Sequence, residues 1–415
     1  MKAFAPDAVR AQFPSLATTD DDIRRIYLDN PAGTQVPELV VQRMSECLLQ
    51  GNANLGGFFR TAHLADEYVH QARVAMADFL NAPTADEITF GQNMTTLALH
   101  LARSIGRFFD PGDEIILSRM EHDANVAPWL LMARDHDLTV RWLPFNTESF
   151  EFDDNALDEV LTDRTRLLCI GGASNLTGTI NDIRTMCGKV RDAGAWSFID
   201  AVQYAPHVLP DVQEIGCDFF TCSAYKFFGP HQGVLWAREE VYGVLEPYKV
   251  RPAPAELPWR FETGTQSHEG MAGTGAAVDY FAGIGGELAG GSSRRKELEA
   301  AFAAMFSYEK ELMRQLISGL GNISGVEIQG ITDLDALDRR VPTVSFVHNE
   351  HSPDHIAKAL SERNIFVWSG HNYGLEPAKA LGLLEGGGVV RIGAVHYNTA
   401  AEIDETLAEI EAIVS

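Results

Sequence analysis

The chain has 415 residues, with 33 Lys and Arg against 58 Asp and Glu, a formal net charge of −25 at pH 7. Phosphate-rich partners demand basic surface, so this balance speaks against nucleic acid and against an anionic membrane face, while a small anionic cofactor held by backbone N–H groups stays compatible with it. No apolar run reaches the roughly 18 residues of a membrane span.

The opening MKAFAPDAVRAQFPSL has no apolar signal core, and the five Cys form no CxxC pair. The expected setting is therefore the cytoplasm, with neither a disulfide framework nor a zinc ribbon. Between residues 25 and 240 short β-rich runs alternate with helical patterns. IYLDN (26–30), EITFGQ (87–92), DEIILSR (113–119), LTVRWLPF (138–145), RLLCIGGA (166–173), AWSFIDAV (195–202), CDFFTCSA (217–224) and GVLWAR (233–238) read as strands. Amphipathic stretches such as 63–80 and 124–137 lie between them. Strands alternating with helices predict a mainly parallel sheet covered on both faces, and several runs are apolar on both faces, as buried central strands are.

Past residue 250 the texture changes. RPAPAELPW is rich in proline, and GIGGELAGGSS (283–293) reads as a flexible, helix-breaking stretch. A long helical pattern follows over 293–320, then strands near VEIQG, VPTVSFVH, IFVWSG and GVVRIGAV, and a closing helix over 399–414. The organisation predicted is a large α/β domain over 18–272 and a smaller α+β domain formed by 1–17 and 273–415. Ligands of such sheets bind beyond the carboxyl ends of the strands, here in the cleft facing the second domain.

Two strand ends stand out. CDFFTCSAYKFFGP delivers Lys226 beside Ser223 and Tyr225, which is either an ordinary loop lysine or an amine placed for covalent work. FIDAVQ ends on Asp200, with Gln203 three residues on; Asp there is either a helix N-cap or a buried carboxylate that keeps a cofactor nitrogen protonated. HNEHSPDH (348–355) bunches three histidines, but Ser352-Pro353 before an amphipathic run reads as a capped helix start, and no metal site is expected there. GIGGELAGG follows no strand, so it is not a dinucleotide fingerprint.

Eight segments in register then carry a resemblance: YLDNPAGTQVP (27–37), NMTT (93–96), MEHDANVAPW (120–129), SNLTGT (174–179), DAVQ (200–203), SAYK (223–226), FETGT (261–265) and RIGAVHYNT (391–399). The chain resembles the class V aminotransferase group of fold-type I pyridoxal-phosphate (PLP) enzymes, above all the cysteine desulfurases. The resemblance implies a PLP-dependent lyase or transferase acting on a small amino acid. Lys226 would hold PLP as a Schiff base and Asp200 would keep its ring nitrogen charged. His122 would stack on the ring, while Thr95, Thr96, Ser223 and Tyr225 would bind the phosphate. Gln203 and Asn175 would contact the ring oxygen or the substrate carboxylate. Arg391 would clamp that carboxylate, with Arg60 a second and weaker candidate. Thr265 would reach the phosphate of a second subunit, implying a homodimer with shared active sites.

Two departures bear on the activity. Tyr225 stands where desulfurases have a histidine before the lysine. In WSGHNY (368–373), Trp368 and Tyr373 occupy the arginine and nucleophilic-cysteine positions of the desulfurase loop. A phenol cannot form a persulfide. The expected activity is therefore a β-eliminating C–S lyase, with an aminotransferase or an epimerase as alternatives.

Overall fold

Strands that are apolar on both faces must be sandwiched, and the chain achieves this around one seven-stranded sheet. The computed structural model describes residues 4–291 and 293–415. In chain order the sheet takes β1 (Ile88–Gly91), β2 (Glu114–Ser118), β3 (Thr139–Leu143), β4 (Thr165–Gly171), β5 (Trp196–Asp200), β6 (Phe219–Ser223) and β7 (Gly233–Ala237). Their order is β1-β7-β6-β5-β4-β2-β3, and β7 alone runs antiparallel to its neighbours. Successive residues alternate between two cores. Ile115, Leu117, Leu167, Cys169, Phe198 and Phe219 face one layer, and Ile116, Leu168, Ile170, Ile199 and Phe220 face the other.

The helices that bury these faces are α1 (Glu38–Gln50), α2 (Arg60–Leu80), α3 (Met94–Gly106), α4 (Ala127–Asp135), α5 (Ile183–Asp192), α6 (His268–Ala289) and α7 (Arg294–Asn322). The α3 and α4 helices cover the first layer through Leu97, Leu101, Ile105, Trp129 and Met132. On the other side lie α2, α5 and α6, with Val69, Met76, Phe79, Val190 and Phe281 among the buried groups. The predicted break at 283–293 is wrong in its first half. Gly283, Gly285 and Gly286 lie inside α6, which runs unbroken to Ala289. A Cβ at Gly285 would sit 1.7 Å from the Glu297 carbonyl oxygen, so the glycine serves close contact with α7 rather than chain flexibility.

The C-terminal part builds β8 (Val326–Gln329), β9 (Thr343–His348), α8 (Pro353–Ser361), β10 (Trp368–Gly370), α9 (Leu375–Ala380), β11 (Val389–Gly393) and α10 (Ala400–Val414). Its antiparallel sheet has the order β8-β9-β11-β10. The Ser352 hydroxyl caps α8 by accepting from the His355 N–H, as its sequence predicts. IFVWSG does not form one strand. Ile365–Phe366 pairs in parallel with Ile26–Tyr27, and only Trp368–Gly370 joins β11. The N-terminal IYLDN run thus pairs with the C-terminal region, outside the main sheet. No helix among the described residues is long and apolar enough to cross a membrane.

Candidate active site

Six parallel strands put their carboxyl ends on one edge, and the residues that follow them converge there. After β1, Asn93 caps α3 by accepting from the Thr96 N–H, while the Thr96 hydroxyl lies 3.3 Å from the Asn93 N–H. The Met94 N–H donates to the Ser223 hydroxyl at 3.0 Å, tying the end of β6 to this helix start. The Thr95 N–H, also in the first turn, has no partner among the described residues. A Cβ at Gly233 would lie 2.5 Å from the Asn93 backbone, so only glycine lets β7 begin so close to the helix start.

Asp200 ends β5 and is buried, with one carboxylate oxygen accepting from the Val202 N–H at 2.9 Å. Burial pushes its carboxyl up to about 6. Lys226 follows β6 and is only 8% exposed. Its ammonium donates to the carbonyls of Pro31 and Ala32, the latter at 2.9 Å, and forms no direct ion pair among the described residues, though the charges of Asp200 and Asp29 act on it. Burial, and next the charge of Arg391, bring the lysine down to about 7. The Gln203 side chain also donates to the Pro31 carbonyl, at 2.7 Å. These carbonyls belong to the YLDNPAGT segment, which RIGAVHYNT holds in place. Asn30 donates to the Gly393 carbonyl at 2.7 Å and to Asn398 at 3.1 Å, and accepts from the Tyr397 hydroxyl.

His122 accepts the Ala124 N–H on Nδ1 at 3.0 Å, and burial, Lys226 and Arg391 lower it to about 4. It is therefore a neutral ring with its proton on Nε2. Tyr225 stacks on His231 with ring centroids 5.0 Å apart, and the Lys226 ammonium lies 4.7 Å from the Tyr225 ring centre. Thr95, Thr96, His122, Asn175, Asp200, Gln203, Ser223, Tyr225 and Lys226 all line an inner chamber of about 540 Å³. This chamber leads into an outer one of about 640 Å³. Arg391, on β11, reaches the outer chamber from the C-terminal sheet and is 4% exposed. Its one hydrogen bond goes to the Asn175 carbonyl at 3.0 Å, and its Nε is buried without a partner. Burial lowers it to about 10. The Asn175 amide donates to the Asn372 carbonyl at 2.8 Å, while its own Oδ1 is unpartnered. The cleft thus gathers two buried cations and the buried Asp200 carboxylate, with Asp29 close enough for its charge to act on both cations, yet no direct ion pair forms among these described residues. Such a set is complementary to a zwitterionic or multiply charged ligand.

The family model for class V aminotransferases matches residues 26–406. The chain belongs to the class V aminotransferase family. Like other class V enzymes it is PLP-dependent, a lyase or a transferase. A cysteine desulfurase from Pectobacterium atrosepticum is 31% identical over 98% of this chain and 97% of its own length. A cysteine desulfurase from Yersinia pestis is 28% identical over 99% and 98%. Among solved structures, the apo cysteine desulfurase of Thermococcus onnurineus has a TM-score of 0.87 at 26% identity, covering 100% of this chain and 98% of its own. The S-sulfonic acid form of an Escherichia coli cysteine desulfurase has a TM-score of 0.84 at 26% identity, covering 100% and 99%.

Against this class V background, two sequence-predicted residues lie away from the cleft. Arg60 opens α2 on the surface, and Thr265 lines separate hollows with Leu48, Asn54 and Leu55. The FETGT loop carrying Thr265 is fixed by Glu262, which accepts from buried Arg73 and from the Phe90 N–H, each at 2.8 Å. All five cysteines are buried, and none lines either chamber. Tyr373, at the cysteine position of the desulfurase loop, does line the outer chamber.

Sequence reasoning passed over Glu121. It sits under the inner chamber, accepting from Ser118, from Asn125 at 2.7 Å and from the Gly171 N–H at 2.9 Å, and burial raises it to about 7. Its signal was an acid beside His122 just after an apolar strand, which looks like an ordinary loop glutamate until three donors are seen around it.

Proposed function

We propose that this class V enzyme is a C–S lyase that eliminates the sulfur substituent of a cysteine-type amino acid without forming a protein persulfide. The observation that carries the reading is the cleft's set of reactive groups, one buried amine and one buried guanidinium but no thiol. The residues fit PLP on their own chemistry. Unpaired Asp200 suits a pyridinium nitrogen, the free Thr95 N–H at a helix start with the Thr95 and Thr96 hydroxyls suits a phosphate, and Lys226 suits the aldehyde. Ser223 and Tyr225 would add hydroxyls at the phosphate, and the neutral His122 ring a flat cover. Bound PLP supplies an electron sink that makes the Cα proton of an attached amino acid removable.

The chain's own groups then have separate tasks. Arg391 with Asn175 takes the substrate carboxylate, and charge pairing repays the cost of the guanidinium's burial. Lys226, with a pKa near neutrality, moves a proton at substrate Cα. The proton leaves Cα, the Cβ–S bond breaks and the sulfur departs with the electron pair to become a thiol. One water then converts the three-carbon remainder to pyruvate and ammonia. Thr265 and Arg60, off the cleft on a face that exposes Leu49, Leu55, Phe58 and Phe59, support a homodimer whose second copy brings this face to the site.

Holoenzyme incubated with cysteine and its S-conjugates should release pyruvate and thiol in equal amounts, with no alkylatable persulfide on the protein. A protein-bound persulfide would overturn the reading. Conversion of the bound cofactor to its amine form without pyruvate would shift the assignment to transamination.

A further inference from the structure

The segment 371–374 is tied to the cleft by backbone hydrogen bonds. The Asp123 N–H donates to the Tyr373 carbonyl and the Asn175 amide to the Asn372 carbonyl, each at 2.8 Å. Arg119 pairs with Glu376 in the first turn of α9 just beyond, and the Arg119 guanidinium lies 4.4 Å from the Trp142 ring centre. Within the segment, the His371 Nδ1 accepts from the Tyr373 N–H at 3.1 Å and the His371 carbonyl from the Gly374 N–H at 2.7 Å. Asn372 and Tyr373 are successive non-glycine residues at φ +51° and +59°. That left-handed pair costs conformational energy, and it persists where surrounding contacts over-determine it. The outcome places the Tyr373 ring in a stack on His122, centroids 5.5 Å apart and 19° from parallel, with the residue 69% exposed.

The chamber that this residue lines has a largely apolar side. Leu99, Ala124, Ala127, Pro128 and the half-exposed Trp368 line the same chamber. Its only Lys and Arg are Lys226 and Arg391, both already assigned, and its other basic side chains are the imidazoles of His122 and His371, so a second anionic group on the substrate meets no further ammonium or guanidinium. Asp123 is the one carboxylate on the lining, and burial and the charge of Glu376 raise its pKa above the ordinary carboxylate value. The chamber, of about 640 Å³, extends from Lys226 and Arg391 out to the segment carrying Trp368 and Tyr373.

We propose that the substrate is an amino acid with a bulky, uncharged, apolar or aromatic substituent on its β-carbon, and that Tyr373 and Trp368 are the residues that select it. This rests on the reading of the cleft as an amino-acid site with Arg391 at the carboxylate. The Tyr373 segment is then a wall of the specificity pocket, where the desulfurase loop carries a nucleophile.

Two measurements on holoenzyme keep the proposals apart. Pyruvate release is followed for cysteine, S-methyl-, S-propyl-, S-benzyl- and S-carboxymethylcysteine. Binding of alanine, leucine, phenylalanine and glutamate is followed through perturbation of the cofactor absorbance. The expected kcat/KM rises at least about tenfold from cysteine to S-benzylcysteine, mainly through KM, with S-carboxymethylcysteine poorest. Tyr373→Ala and Trp368→Ala should each raise KM for the benzyl substrate while keeping kcat, and Tyr373→Phe should restore it. The cofactor spectrum reports that each variant is folded. Preference for cysteine or the carboxymethyl compound, or an unchanged preference in both alanine variants, would overturn the specificity proposal while leaving a lyase that makes pyruvate intact. If no compound yields pyruvate but phenylalanine binds more tightly than alanine and glutamate, the lyase reading fails and the pocket assignment stands.

Discussion

At the scale of single residues, the energetic question is why two cations are buried without a direct ion pair among the described residues, with the nearby charges of Asp29 and Asp200 to offset their burial. Lys226 gains hydrogen bonds from the carbonyls of Pro31 and Ala32, but these offset only part of its desolvation, and its pKa falls from 10.5 to about 7. An ammonium has no lone pair to attack an aldehyde, so cofactor capture requires the neutral amine. Below pH 7 the proton blocks capture, and above it the amine is mostly free. Stopped-flow mixing of apo-protein with PLP should therefore give a capture rate that climbs to about pH 7 and then levels off. A rate that keeps climbing tenfold per pH unit towards 10.5 would mean that the lysine is solvated like any other and would remove the basis for its proposed role. Lys226→Ala should show no covalent capture at any pH.

At the scale of elements, the main sheet was legible because its strands are short apolar runs at regular spacing, with side chains of both parities buried. The sites at strand ends were legible for a related reason. Thr95, His122, Asn175, Asp200, Gln203 and Lys226 each come within a few residues of a strand's end, so reading the strands places the residues on one edge. What failed to show were features set by contacts between distant segments. The Asp123–Tyr373 bond joins two backbone groups and leaves no trace in residue type. That Arg60 lies off the cleft depends on tertiary position alone. The glycines of α6 misled because glycine weakens an isolated helix, while here packing against α7 decides.

That last point yields a paired prediction. Nothing lies within 4 Å of a Cβ built at Gly283, whereas one at Gly285 meets the Glu297 carbonyl at 1.7 Å. Gly283→Ala should stabilise the holoenzyme by about 0.5–1 kcal/mol through helix propensity. Gly285→Ala makes the same gain but must push α7 away, at a cost of about 1–3 kcal/mol for overpacking, so its net effect is destabilising. Thermal melts of the two variants should move in opposite directions. Equal upward shifts would show that α6 and α7 are not in close contact at Gly285.

At the scale of the whole molecule, two properties oppose each other. The loop between α1 and α2 leaves Phe58 fully exposed and Phe59 58% exposed, beside Leu55 and the hollow that holds Thr265. Apolar surface of this kind favours being covered, and under the proposed homodimer a second copy covers it. Each chain also carries a formal net charge of −25, so two copies repel as they approach. Salt shortens the reach of that repulsion, the screening length falling from about 30 Å at 0.01 M to about 10 Å at 0.1 M, while burial of the phenylalanines is little affected. Dimerisation should therefore tighten as salt is raised, the reverse of an interface built on ion pairs. Sedimentation equilibrium across that range measures it directly. Phe58→Asp should remain monomeric at every salt concentration and lose PLP more readily on dialysis, because the monomer lacks the Thr265 that a partner would lend. A dimer that loosens with salt, or a Phe58→Asp protein that still pairs, would take this face out of the interface and Thr265 out of the phosphate site with it.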